Sequence, residues 1–180
     1  MPNIRVSRQR TKSVISEINF KGLVSSSIIG LNKMDGAHRL HINTTIEGIA
    51  PFYSELAHLS VVFNNIISNA IRFRHLYEVR PTLDITIEVD FDKAVIQMKD
   101  NGIGIAPEYH EKVFKMFFCV PDVKNEGSGI GLFAVRESVQ KLKGNIRVVS
   151  AKGSGSNFII EIPNKIDADL KRKLTKLLNQ

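Results

Sequence analysis

"TLDITIEVDFDKAVIQMKDNGIGI", residues 82–105, carries two strand patterns and, behind the second, a carboxylate followed by two glycines. Leu83, Ile85, Ile87, Val89 and Phe91 alternate with Thr82, Asp84, Thr86, Glu88 and Asp90. That period of two asks for one buried and one wet face. Ala94, Ile96 and Met98 repeat it after a short Asp92-Lys93 turn, which predicts a hairpin. Asp100 then ends the second strand, and Gly102 and Gly104 bare the backbone beyond it. A carboxylate is thereby aimed from the sheet edge into a place that other backbone or a flat ligand can approach closely.

Outward from this stretch the same two periods recur. "NIRVVS" (145–150) and "NFIIEIP" (157–163), separated by the glycine-rich "AKGSGS", predict a second hairpin, and "RLHINTTIE" (39–47) is a weaker strand signal. Leu56, Leu59, Phe63, Ile66, Ile67 and Ala70 follow helical spacing within 55–74, and Leu132, Val135, Val139 and Leu142 do so after "GSGIG". "KSVISEINFKGLVSSSIIGL" (12–31) is apolar enough to be helical. Near the end, "DADLKRKLTKLLNQ" (167–180) puts Leu170, Leu174, Leu177 and Leu178 on one side of a final helix. Helices interspersed with hairpins imply a two-layer α/β sandwich, a mixed but mostly antiparallel sheet with helices on one face.

Composition limits the function classes. The chain has 180 residues, 43% of them hydrophobic, enough for one domain with a core. The single cysteine, Cys119, excludes an internal disulfide framework and a four-cysteine zinc site, and the chain reads as intracellular. No apolar run approaches the roughly 18 residues of a membrane span, and no signal-peptide core opens the chain. The net charge of +7 sits at the ends: five cations and one acid in residues 1–21, five cations and two acids in 164–180. The body between them is neutral, so the basic stripe of a nucleic-acid binder is not expected.

Three constellations carry chemistry. Asn65, Asn69 and Arg72 lie at i, i+4 and i+7 on the first long helix, a polar face beside its apolar stripe. Asparagine is a poor interior helix residue. Two in register suit a magnesium and phosphate face, since amide oxygens coordinate a hard cation and a guanidinium pairs with phosphate. Taken alone, this helix reads first as a solvated face. Asp100 could accept from an exocyclic amino group such as that of adenine, with Ile105 covering a ring face, or it could be part of a plain Asp-Asn-Gly turn. "EGSGIGLFAV" (126–135) sets Gly127, Gly129 and Gly131 at a helix start, where unpaired N–H groups and the helix dipole favour an anion. Gly129, Gly131 and Ala134 fit G-x-G-x-x-A, but no strand precedes them, which excludes a Rossmann site; no Walker A loop is present.

In this order the stretches resemble the catalytic ATP-binding domain of bacterial sensor histidine kinases. These belong to the wider GHKL ATPase superfamily, with gyrase B, MutL and the large heat-shock chaperones. "NNIISNAIRF" (64–73) looks like the N-box, "DNGIGI" (100–105) the G1 box, "KVFKMFF" (112–118) the F-box, "GSGIGL" (127–132) the G2 box and "GSGSNF" (153–158) the last glycine motif. The resemblance covers roughly residues 17–163 and implies a Bergerat-type ATP-binding fold. It implies that Asn65 and Asn69 hold Mg²⁺ and phosphate oxygens, with Arg72 where the family usually has a phosphate-contacting lysine. Phe73 would stand beside the adenine and Asp100 would bind its amino group. Gly102, Gly104 and Ile105 would shape the pocket, and the Gly127-Ser128-Gly129-Ile130-Gly131-Leu132 run would close on the phosphates. Residues Cys119 to Glu126 would be a short ATP lid.

Hydrolytic members carry a water-activating glutamate at the start of the N-box, where this chain has Asn65. The resemblance therefore implies transfer of the γ-phosphoryl of Mg·ATP to a histidine on a separate dimerisation domain, with a response-regulator receiver domain downstream. No histidine here has a convincing acceptor context; His110, in "HEKV", falls between the G1 and F boxes. Residues 1–16 are expected to end a dimerisation helix or linker, 17–163 to form the catalytic domain, and 164–180 to be a basic amphipathic helix or linker. A cytoplasmic location without membrane contact is expected of this stretch, whether or not the full-length protein is membrane-anchored. The competing readings are an ATPase or serine-directed anti-sigma kinase on the same fold, and a non-catalytic nucleotide-sensing or docking module.

Overall fold

The alternation in residues 83–89 fixes the centre of the molecule. The computed structural model describes residues 14–75, 80–121 and 127–178. Within them the chain runs β1 (Ile15–Glu17), α1 (Phe20–Leu31), β2 (His41–Gly48), β3 (Tyr53–Glu55), α2 (Leu56–Arg72), β4 (Thr82–Val89) and β5 (Lys93–Asp100). It continues through α3 (Gly131–Lys141), β6 (Asn145–Ser150), β7 (Ser156–Pro163) and α4 (Ala168–Leu178). Five strands form one sheet in the order β2-β4-β5-β7-β6, in which β2 and β4 are parallel and every other neighbour is antiparallel.

Leu83, Ile85, Ile87 and Val89 of β4, Ala94, Ile96 and Met98 of β5, and Phe158, Ile160 and Ile162 of β7 are all buried. They share one hydrophobic cluster with the apolar stripes of α1, α2 and α3, while Asp84, Glu88, Lys99 and Arg147 on the other sheet face are exposed. This is the two-layer arrangement expected, with α1, α2 and α3 on one face. The first hairpin turns one step earlier than its pattern suggests: β4 stops at Val89, the Asp90 carboxylate caps the N–H groups of Asp92 and Lys93, and Phe91 lies in the turn. Asp100 ends a central strand, paired with Leu83 on one side and Ser156 on the other. Its position is thus the end of the sheet and not a lateral edge.

Two local expectations are corrected. Residues 12–31 are not one helix. Ile15–Glu17 pair antiparallel with Tyr53–Glu55, and the helix starts only after Asn19, whose Oδ1 accepts from the Gly22 N–H at 3.0 Å. A β-branched pair followed by a strong N-cap residue accounts for the break; Lys12 and Ser13 lie outside the described residues. Leu56 is exposed, because it opens α2 before the helix reaches the core, whereas Val62 and Ile71 complete the buried stripe. Phe63, fully buried in that stripe, anchors α2; truncation of such a side chain to alanine costs about 3–5 kcal/mol.

The final strand is tied to the body beyond Pro163. Asn164 accepts from the Tyr53 N–H and donates to the carbonyls of Pro51 and Asp90, and Lys165 pairs with Glu55. α4 has no buried residue, and Lys171 links it to Asp92 at 2.6 Å. Among the described residues no helix is long and apolar enough to cross a membrane. Most of the segment expected to end a dimerisation helix lies outside the described residues, apart from the start of β1.

Candidate functional site

A cavity of about 360 Å³ opens where the C-terminal half of α2, the end of β5 and the start of α3 meet. Asn65, Asn69, Arg72 and Phe73 line it from α2 and its C-cap. Asp100, Gly104 and Ile105 line it from the end of β5 and the loop beyond, and residues 127–132 line it from the loop before α3 and the first residues of that helix. Gly102 does not: it is buried behind the wall.

Gly102 has a different task. Its N–H donates to Asp100 Oδ1 at 2.8 Å, and a Cβ placed on it would lie 2.5 Å from the Phe73 carbonyl oxygen. The next N–H, from Ile103, donates to that same carbonyl at 3.0 Å. The loop is therefore pressed against the end of α2, and only a residue without a side chain fits between them. Asn101 fixes the loop from behind, accepting from the Thr82 N–H at 2.8 Å and donating to the Arg80 carbonyl at 2.9 Å.

Asp100 is half-buried. Burial pushes its pKa upward, and the Gly102 and Ser156 N–H groups on its Oδ1 pull partly in the other direction. Both side-chain bonds use the same oxygen, which leaves Oδ2 as the acceptor available to a ligand donor in the cavity.

On α2, Asn65 donates its Nδ2 hydrogen to the Val61 carbonyl at 2.7 Å. That bond orients the amide: Oδ1 points toward the start of α3, where a Cβ on Gly131 would lie 3.0 Å from it. The Asn65 oxygen thus faces the cavity as an acceptor. No side chain caps α3, and its first intrahelical bond is Ala134 N–H to Ile130 carbonyl. The N–H groups of Gly131, Leu132 and Phe133 have no partner within the helix, next to an amide oxygen. Uncapped donors and acceptor oxygens side by side suit an anion that carries a hard cation. Among the described residues His, Cys, Asp and Glu do not gather as a metal site. A cation here would rest on amide oxygens and on oxygens of the ligand.

The apolar wall was only partly legible. Ile105 and Leu132 belong to it, and so do Val113, Phe118 and Val120, with Phe118 packed on Tyr109 at 5.8 Å between ring centres. The F-box stretch pointed to this region without separating Phe118, which lines the cavity, from Phe117, which is exposed. Ser68 and Ser156 also line it; both fall inside the N-box and last-glycine stretches, but neither stands out there as a site residue. His110 contacts the Ile105 carbonyl through Nε2 at 3.1 Å, and so acts as a brace for the loop. Of the expected lid, residues 122–126 lie outside the described residues. Its two ends are joined, the Phe117 N–H donating to the Gly129 carbonyl at 3.0 Å and the Cys119 thiol to the Gly127 carbonyl at 3.1 Å.

Comparison with known proteins agrees with this architecture. The chain is 30% identical over 166 residues to Sensor protein RprX of Bacteroides fragilis, covering 87% of this chain and 31% of that protein. It is 32% identical over 114 residues to Sensor protein SrrB of Staphylococcus aureus, covering 61% of this chain and 19% of that protein. The chain therefore spans less than a third of either relative's length. Among solved structures, the mycobacterial sensor histidine kinase MprB superposes with a TM-score of 0.69 at 21% identity, covering 86% of this chain and all of that one. The Acinetobacter baumannii histidine kinase AdeS does so with 0.68 at 26% identity, covering 88% and 71%. A full-length ShkA in complex with AMPPNP gives 0.69 at 20% identity, covering 86% and 32%. The profile described as "Histidine kinase-, DNA gyrase B-, and HSP90-like ATPase" matches residues 55–166, which contain every residue lining the cavity. The chain belongs to the histidine kinase-, DNA gyrase B- and HSP90-like ATPase family.

Proposed function

We propose that this chain is the catalytic ATP-binding domain of a two-component sensor histidine kinase, transferring the γ-phosphoryl of Mg·ATP to a histidine on a separate dimerisation domain. The observation that carries the reading is the pairing of two recognition elements in one cavity: the Asp100 carboxylate, with one oxygen held and one available, and the uncapped start of α3 beside the Asn65 amide oxygen. Asp100 accepts from the adenine amino group, Ile105 and Phe73 flank the ring, and the N–H groups at the start of α3 take the phosphates. Asn65 and Asn69 hold Mg²⁺, which neutralises triphosphate charge when bound. Arg72, the last residue of α2, adds a guanidinium to the same wall.

Transfer is favoured over hydrolysis by the chemistry of the lining. Among the described residues that line the cavity, Asp100 is the one carboxylate, and its role as an adenine acceptor removes it from water activation. No histidine lines the cavity among the described residues either, so the acceptor comes from elsewhere, in the same protein or another. A receiver domain is the onward partner of such a kinase, and the bacterial cytoplasm supplies its ATP. We assign residues 17–163 as the catalytic unit, flanked by a linker at 1–16 and a basic helix at 164–180. Titration with Mg·ATP, followed by acid treatment of a labelled partner, tests the reading: phosphohistidine is acid-labile. Acid-stable phosphoserine would move the chain to the serine-directed branch, rapid phosphate release to the ATPase branch, and binding without transfer to a sensing module.

A further inference from the structure

Ser150, the last residue of β6, stands behind the cavity and makes three contacts through one hydroxyl. Its Oγ accepts from the Ile105 N–H at 2.7 Å, donates to the Gly155 carbonyl at 2.6 Å and lies 3.1 Å from the Ser156 Oγ. A serine hydroxyl has one proton, an amide N–H can only donate and a carbonyl can only accept. Ser150 therefore spends its proton on Gly155, and at the remaining contact Ser156 must be the donor. The order is Ser156 O–H to Ser150 O–H to Gly155 C=O.

This order reaches the ligand side. Ser156 lines the cavity, and its own N–H donates to Asp100 Oδ1 at 3.3 Å. With its hydroxyl proton turned away toward Ser150, Ser156 offers the cavity lone pairs. The neighbouring Asp100 carboxylate also offers acceptors. That end of the cavity is then acceptor-only, although one of its two side chains is a hydroxyl that could otherwise rotate to donate.

We propose that Ser150 is a positioning residue for base selection. By fixing the direction of the Ser156 hydroxyl, it makes the Asp100 end of the cavity accept a 6-amino purine and reject a 6-oxo purine. An amino group brings hydrogens to both acceptors. An oxo group brings an oxygen against two oxygens, and leaves them unpaired or repelled. The inference rests on the ATP-binding reading given above and adds to it the residue that sets the polarity of the base pocket.

The test compares Mg·ATP with Mg·ITP by isothermal titration on the 180-residue chain and its variants, with thermal unfolding of each preparation. Ser150→Ala releases the Ser156 proton to the cavity. It is expected to weaken ATP and spare or improve ITP, so that the ATP-over-ITP preference falls about tenfold. Ser150→Thr keeps the hydroxyl and is expected to keep the preference. Should Ser150→Ala not fold, Ser156→Ala removes the ordered hydroxyl itself and is expected to lower the preference in the same way. A preference unchanged in the alanine variants, or equal losses for both nucleotides, would overturn the proposal, as would a threonine variant that behaves like alanine. Wild-type chain that binds neither nucleotide would overturn the ATP reading as well, whereas a wild-type preference for ATP with no response to Ser150 removes only this inference.

Discussion

The Gly102 N–H holds Oδ1 of Asp100 at 2.8 Å, and the Ser156 N–H reaches the same oxygen from the adjacent strand at 3.3 Å. In Asp100→Asn the amide oxygen keeps that place, because two N–H donors require an acceptor there. The NH₂ group then faces the cavity and meets the adenine amino group donor to donor. Mg·ATP affinity is expected to drop by about 1–3 kcal/mol, roughly ten- to a hundredfold. The melting temperature is expected to hold or rise, since a half-buried charge is removed. Isothermal titration and thermal unfolding of the variant check both; unchanged affinity would contradict the adenine assignment.

Burial raises the Asp100 pKa, and this sets two opposite pH slopes. The native state holds its proton more tightly than the unfolded chain does, so between the two pKa values stability without ligand falls as pH rises. Nucleotide binding needs the carboxylate, so Mg·ATP affinity falls as pH drops through the raised pKa. Titrations between about pH 4 and 8 on wild type and Asp100→Asn isolate the effect, because protonation of the ATP phosphates is common to both. Parallel pH profiles would mean that Asp100 does not touch the base.

Asn65 presents Oδ1 to the start of α3 because its Nδ2 is committed to Val61. Alanine at Asn65 or Asn69 is expected to cost Mg·ATP about 1 kcal/mol or more while leaving metal-free adenosine nearly unaffected. Competition titrations with both ligands decide; equal losses would make the two asparagines structural.

Gly127 and Gly129 look alike in the sequence and differ in the structure. Gly129 has φ +67, and a Cβ on it would lie 2.5 Å from the Phe117 backbone, whereas nothing lies within 4 Å of one on Gly127. Gly129→Ala is expected to destabilise the fold by more than about 1 kcal/mol and to weaken ATP, while Gly127→Ala stays near wild type. Denaturant unfolding of the pair measures the contrast.

What the sequence discloses here is periodicity and ordered motifs. β4, β5, β6, β7, α2 and α3 follow from the spacing of buried apolar residues, and the phosphate and adenine ends of the cavity from glycine, asparagine and aspartate in a recognisable order. Pairings across distance do not follow. Nothing local says that Ile15–Glu17 pairs with Tyr53–Glu55, or that β5 and β7 join two hairpins into one sheet. Hydroxyls and amides that act through loops are equally silent: Ser150 reaches Ile105 across 45 residues, and Asn101 turns away from the cavity toward Arg80 and Thr82. Gly102 was legible as a glycine that something needs, but the something is the Phe73 carbonyl and not the nucleotide.

Incubation with radiolabelled Mg·ATP, alone and with a protein carrying the dimerisation helices and their histidine, tests the central claim most directly. Phosphoryl transfer needs an in-line nucleophile, and among the described residues the cavity has neither a histidine nor a carboxylate free to activate water. The chain alone is expected to bind nucleotide with almost no self-labelling and little phosphate release. Adding the partner is expected to give acid-labile label on it, weakly at first because a free partner lacks the effective concentration of a tethered one. Robust acid-stable label on the lone chain, or rapid phosphate release without the partner, would contradict the account.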